Sequence, residues 1–200
     1  AVASAADTDT LTSPLAQRLT ALFPDQAPAA LDQLSGELHA STQAVLIENS
    51  RVLRQAVFER QRLAAHSRSA GLETNNRGVW VQMPRQSGQL GGDRGTSRAA
   101  HNTTGLLVGY DHPWEQGTRL GVVAGSSSTD VKAGSRGKAS VDSYQLGIHA
   151  GHTWDAFGLY GGIAYARHEI ETKRRVSFPG VESRLSAAYA SRTLQTFAEA

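Results

Sequence analysis

The second half of the chain is built from glycine-rich segments with alternating apolar residues, and the connections between them run short, long, short, long. The segments are Asn102 to Tyr110, Thr118 to Gly125, Ser143 to Thr153 and Phe157 to His168. Asp111 to Gly117 joins the first pair and Trp154 to Ala156 the last, whereas the polar stretch Ser126 to Asp142 separates the middle two. A soluble sandwich has no reason to gather its long loops at one end; an outer-membrane barrel pairs short periplasmic turns with long external loops. A first strand is expected at Arg77 to Met83, closed by Pro84, and is followed by a polar loop from Arg85 to His101. With a further long connection from Glu169 to about Arg184 and a last segment ending near Ala200, the rhythm holds at every junction.

Side-chain alternation assigns the faces. Leu106 and Val108, then Leu120 and Val122, Leu146 and Ile148, and Leu159 and Ile163 fall on one face of their strands, the face expected to meet lipid. The opposite face carries Gly121, Gly125, Gly147, Gly151, Gly158 and Gly162. A sandwich would fill its inward face with bulk, so glycine there points to a lumen or a closely approaching helix. Tyr110, Trp114, Trp154 and Phe157 cluster at the short turns, and Tyr144 and Tyr165 lie toward the other end, as two interfacial girdles require.

Ahead of the strands, residues 1–28 are small, polar and broken by Pro14, Pro24 and Pro28, which reads as a linker. Residues 29–66 hold no proline and good helix formers, so one long helix is expected there. At 100° per residue, Glu48, Arg51, Gln55, Glu59 and Arg62 fall on one narrow face, and Leu46, Leu53, Val57 and Ala64 nearly opposite. Such a stripe suits a surface helix laced by ion pairs three and four residues apart. It also suits a helix standing inside a water-filled barrel.

Composition removes several alternatives. A net charge of +2 gives no electrostatic case for nucleic acid, and the absence of cysteine removes disulfides, thiolate chemistry and cysteine-based zinc sites. No apolar run approaches the roughly 20 residues of a spanning helix. A mean hydropathy of −0.35 is compatible with membrane strands, because only alternate residues face lipid. The start at Ala1, with no apolar signal segment, reads as a processing or cloning boundary.

No motif carries catalysis: there is no G-x-S-x-G, G-x-G-x-x-G, P-loop or H-E-x-x-H. His149 and His152 have a spacing that on a strand sends them to opposite faces, so they are not expected to share a metal. No catalytic, cofactor-binding or metal-ligating residues are therefore expected. Glu169, Glu171 and Glu182 with Lys173, Arg174 and Arg175 read as a solvated external loop.

The stretch Ala30-Leu31-Asp32-Gln33-Leu34-Ser35-Gly36-Glu37-Leu38-His39-Ala40-Ser41, continuing through Glu48-Asn49-Ser50-Arg51 and Arg54-Gln55-Ala56-Val57, resembles the segment that opens the translocator domain of bacterial autotransporters, the type V secretion family. Leu120 to Gly125, Tyr144 to Thr153, and Gly158 to Glu171 with Val176 to Gly180 are similar to that family's strands and loop, and the likeness covers Ala29 to Ala200. It implies an all-β antiparallel transmembrane barrel of about twelve strands with one N-terminal helix in the lumen. By the same resemblance residues 29–66 are the pore-traversing helix and 77–200 the first half of the barrel, with about six strands present. Outer-membrane lipid, a covalently attached N-terminal passenger at the cell surface, the barrel-assembly machinery and periplasmic chaperones are the implied partners. The chain ends Phe197-Ala198-Glu199-Ala200, without the family's terminal aromatic, so it is expected to be the N-terminal part of a translocator. Asn75-Asn76 lies after the helix, so the self-cleavage known at an asparagine pair within the helix of some members is not transferred. Two other classes stay open: an outer-membrane barrel hydrolase, with acids, histidines or serines gathered at one rim, and a soluble all-β binding or adhesion module.

Overall fold

The computed structural model describes residues 37–69, 78–91, 99–114, 117–134, 137–154, 157–179 and 181–200, with isolated positions 17, 21–23, 26, 30 and 31. The expected linker over 1–28 falls almost wholly outside these, as does the segment 70–77 with Asn75-Asn76. The long helix α1 (Glu37–Ser69) precedes β1 (Gly78–Gln82), β2 (Arg85–Leu90), β3 (Ala99–Pro113), β4 (Thr118–Ala133), β5 (Gly137–Trp154), β6 (Phe157–Phe178) and β7 (Val181–Glu199). At about 1.5 Å per residue α1 is about 50 Å long. No helix among the described residues is long and apolar enough to cross a membrane, which says nothing of strands.

All strands join one antiparallel sheet in the order β1-β3-β4-β5-β6-β7, with β2 also paired to β3. Gly78 lies opposite Asp111 and Arg85 opposite Thr104, so β1 and β2 keep a single register and form one strand interrupted at Met83-Pro84. Proline has no N–H to give the ladder, yet the Gly105 N–H still donates to the Pro84 carbonyl at 3.0 Å. The polar loop expected from Arg85 is thus corrected: its first six residues continue the strand.

The two long connections are corrected in the same way. Where Ser126 to Asp142 was expected as a loop, β4 runs on to Ala133 and β5 starts at Gly137, with Ala133 opposite Gly137 and Gly134 at φ 57° between them. Where Glu169 to Arg184 was expected as a loop, β6 and β7 stay paired up to Phe178 opposite Val181. These extensions show no outward apolar alternation, which is why they read as loops. Their apolar positions, Val131, Ala139, Val141, Ile170 and Val176, point inward and are buried.

The sheet curves around α1. Leu53, Ala56, Val57 and Phe58 pack against Trp80, Leu107, Val123, Tyr160, Ala164 and Phe197, while Leu38 and Val45 meet Val131 and Ala139, and Leu46 meets Val141 and Ile170. Burying each such side chain is worth about 1.5–3 kcal/mol. Much of the room left by inward glycines is filled by neighbouring side chains. A Cβ on Gly109 would come within 2.2 Å of the Trp80 ring, and one on Gly151 within 2.5 Å of Tyr160 and 3.0 Å of Gln61. Phe58 and Phe197 meet edge to face at 5.4 Å, closing the contact between α1 and β7.

Candidate functional site: a helix locked to the inner wall

The helix runs from one end of the sheet to the other. Leu38 lies against the β4–β5 turn, since a Cβ on Gly137 would come within 3.5 Å of it, and Arg60 and Gln61 lie beside the short turns, where they reach Asp111 and His149. The chain then begins β1 at Gly78, opposite Asp111, at the same short-turn end. The N-terminus of α1 therefore lies at the long-hairpin end.

At the short-turn end sits a buried polar cluster centred on Asp111, which is fully buried. Arg60 donates to Asp111 Oδ2 through Nε at 3.2 Å and Nη2 at 3.1 Å, and Arg119 Nη1 lies 3.7 Å from the same oxygen. The Gln61 side-chain amide is hydrogen-bonded to His149 Nδ1 at 3.0 Å, and His149 Nε2 lies 3.4 Å from Asp111 Oδ1. Gly121 makes this possible, because a Cβ there would meet both His149 and Asp111 within 2.7 Å. Arg60 also lies over the Trp80 ring, 5.9 Å from its centroid. One buried carboxylate facing two guanidiniums, with His149 beside it, ties α1 to β3, β4 and β5.

Higher up, Asn49 bridges two threonines of the wall: its amide nitrogen donates to Thr129 Oγ1 at 2.9 Å, and Thr103 Oγ1 donates to its carbonyl at 3.2 Å. Glu48 accepts from Gln86 at 3.1 Å and lies 3.8 Å from His101. His39 near the start of α1 is hydrogen-bonded to the Tyr189 hydroxyl at 2.9 Å. The helix is thus held by polar contacts along its length and by apolar packing between them.

The sequence-derived helix faces divide as follows. Leu46, Leu53, Val57 and Ala64 are buried. Arg51, Gln55 and Glu59 are exposed, Glu48 is half-buried, and Arg62, also exposed, reaches back to the wall at Glu199 of β7, 3.5 Å away. No ion pair within α1 occurs among the described residues. Arg60, which makes the strongest contact to the wall, was not part of the charged stripe. In the sequence Asp111 falls in the short connection Asp111 to Gly117; only its register with Gly78 and Gly121 marks it as inward-facing.

On the convex face Leu106, Val108, Leu120, Val122, Leu146, Ile148, Leu159 and Ile163 are all exposed, Leu146 by 62% and Ile148 by 60%. Tyr110, Trp114, Trp154 and Phe157 are exposed at the short turns, where Trp154 stacks on Phe157 at 5.7 Å, and Tyr144 and Tyr165 are exposed near the level where the apolar residues give out. Ten residue steps separate Trp154 from Tyr144, about 33 Å of strand. At a strand tilt of about 40° that is a band about 25 Å high, the hydrophobic height of an outer-membrane barrel.

Two pairs resemble catalytic arrangements and differ from them in composition. Ser143 Oγ is hydrogen-bonded to His168 Nδ1 at 2.8 Å, but His168 Nε2 meets Thr193 at 3.1 Å where a triad needs a carboxylate. The space beside them is about 30 Å³, a single water's worth. Asp111 and His149 lie under α1 with Gln61, not a nucleophile, on the other ring nitrogen. His149 points inward and His152 contacts Thr118 at 2.7 Å on the other face, and no group of residues among those described could hold a metal ion.

Residues 79–200 match the autotransporter beta-domain family. Two extracellular serine proteases of Serratia marcescens are each 32% identical over 171 residues, which is 85% of this chain and 16% of theirs. The chain thus spans 16% of the length of these curated relatives. The translocator domain of the autotransporter NalP from Neisseria meningitidis shares the fold at a TM-score of 0.63 and 18% identity, over 82% of this chain and 54% of that one. An open antiparallel wall curved around one helix, with this family match over most of its strands, makes the chain a member of the autotransporter β-domain family, part of the outer-membrane barrel that serves as translocator in type V secretion.

Proposed function

We propose that this chain forms the first part of a secretion pore through which an N-terminal passenger reaches the cell surface, and that α1 afterwards occupies the lumen as tether and plug. The observation that carries the reading is the course of α1, along the concave face from the long-hairpin end to the short-turn end. With short turns periplasmic, a passenger joined to its N-terminus stands outside. The exposed apolar positions and both aromatic girdles contact lipid, and Arg51, Gln55, Glu59 and Arg62 face the remaining lumen.

The strand β1–β2 and strand β7 have no second neighbour among the described residues. In hydrocarbon such edges would leave backbone groups unsatisfied, so further strands, to a total of about twelve, close the barrel. Insertion of so many strands calls for periplasmic chaperones and the barrel-assembly machinery as partners. We assign no catalysis to the β-domain; a serine protease activity, as named for the Serratia relatives, would reside in a passenger.

The test places an epitope N-terminal to α1 in the full-length protein expressed in a Gram-negative cell. Surface accessibility of the epitope on intact cells, with heat-modifiable gel mobility of the β-domain in the outer-membrane fraction, is the expected result. An epitope reached only after permeabilisation, or a soluble periplasmic protein, overturns the proposal.

A further inference from the structure

Above the level of Tyr144 and Tyr165 the convex face carries charge in horizontal rows, fixed by strand register. Tyr144 lies opposite Arg167, which lies opposite Arg192. The next two rows are acidic, with Asp142 opposite Glu169, then Asp130 and Glu171 on either side of Ser140. Beyond them Lys132 lies opposite Lys138 and Lys138 opposite Lys173, three lysines abreast on β4, β5 and β6, and Arg175 lies opposite Arg184. All five of these cations are exposed, and none takes part in an ion pair among the described residues. Like charges directly opposite across strands are unfavourable in themselves. A cleft of about 330 Å³ opens among Lys138, Lys173, Arg175 and Arg184.

This arrangement costs sheet stability and so points outward, to an anionic partner. The rows continue upward from the face that carries the apolar band, so whatever covers the band ends in headgroups at their foot. We infer that Lys132, Lys138, Lys173, Arg175 and Arg184 form a binding surface for the phosphate groups of the phosphorylated glycolipid of the outer leaflet. The inference rests on the outer-membrane reading of the wall. Lys138 stands six residues above Tyr144, about 20 Å along the strand and about 15 Å along the membrane normal, which is the depth of headgroup and first sugars, not of acyl chains. Phosphates there neutralise lysines that oppose one another, and the acidic rows below keep the phosphates from settling lower. A passing soluble polyanion would meet the same charges, but the continuity with the lipid-facing band selects the lipid.

The test compares the full-length protein with a variant carrying K132Q, K138Q, K173Q, R175Q and R184Q, substitutions that relieve repulsion and leave the inward face untouched. Both are purified folded from outer membranes, and retained lipopolysaccharide is quantified; both are then titrated with vesicles containing lipopolysaccharide or its dephosphorylated form. The expected result is roughly tenfold less retained glycolipid for the variant, and a comparable loss for the native protein when the phosphates are removed, with the difference shrinking at high salt. Equal retention by both proteins, or indifference to dephosphorylation, overturns the inference. If neither protein fractionates with the outer membrane or shows heat-modifiable mobility, the translocator reading itself fails; if both do and retention is equal, only the glycolipid surface fails.

Discussion

The lower and upper halves of this wall are built from the same strands with opposite polarity. Below Tyr144 and Tyr165 the outward positions are Leu146, Ile148, Leu159 and Ile163, and the inward ones include Asp111, Arg119 and His149. Above them the outward positions are Asp142, Lys138, Glu169 and Lys173, and the inward ones Val131, Val141, Ile170 and Val176. The period of two is unbroken, but the outward positions change from apolar below to charged above, while α1 packs inside throughout. In the lower half the helix is held by the Asp111 cluster together with the packing of Leu53, Val57 and Phe58; in the upper half it is held by Leu38, Val45 and Leu46 together with hydrogen bonds from Asn49 and His39.

The largest expected effect tests the lower fastening. Asp111→Ala removes the buried carboxylate that Arg60 and Arg119 face and is expected to cost about 3–5 kcal/mol, seen as a lower midpoint for loss of heat-modifiable mobility and as protease access to α1. An unchanged midpoint would mean that packing alone holds the helix. Leu53→Ala, in the apolar cluster, is expected to cost about 3 kcal/mol by the same readout. The outer faces are compared directly by one substitution at two heights. Ile148→Lys within the band is expected to lower stability by about 2–3 kcal/mol, and Ser140→Lys above it by less than about 0.5 kcal/mol. Equal costs in lipid vesicles would remove the boundary at Tyr144. Gly109→Ala is expected to cost about 1–2 kcal/mol, read in urea titrations of the folded protein, because its Cβ forces the Trp80 ring aside.

Legibility in the sequence follows the same division. The lower half is legible because its outward positions are apolar at every second residue, so Leu120, Val122, Leu146 and Ile148 can be set on one face of the sheet from the sequence. The upper half is not, since Ser128, Asp130 and Lys132 alternate with Thr129 and Val131 in a way that also describes a loop, and what makes it a strand is contact with Leu38 and Val45 on a distant segment. The buried face of the helix was readable from the spacing of Leu46, Leu53, Val57 and Ala64. The Asp111 cluster was not, because it depends on register: a carboxylate between histidine and tyrosine looks like turn chemistry until Gly78 and Gly121 are set beside it.

Pro84 interrupts the strand at the free margin of the sheet, where proline usually serves to discourage pairing. Its position in the ladder reverses that meaning here. The carbonyl of Pro84 accepts from Gly105, so residue 84 directs its backbone toward β3, and Met83 and Arg85 on either side direct theirs away from it. The absent N–H is therefore lost on the inner side, and the outer margin keeps its donors and acceptors in sequence. A zipper with a tooth missing on the sewn side still fastens on the open one.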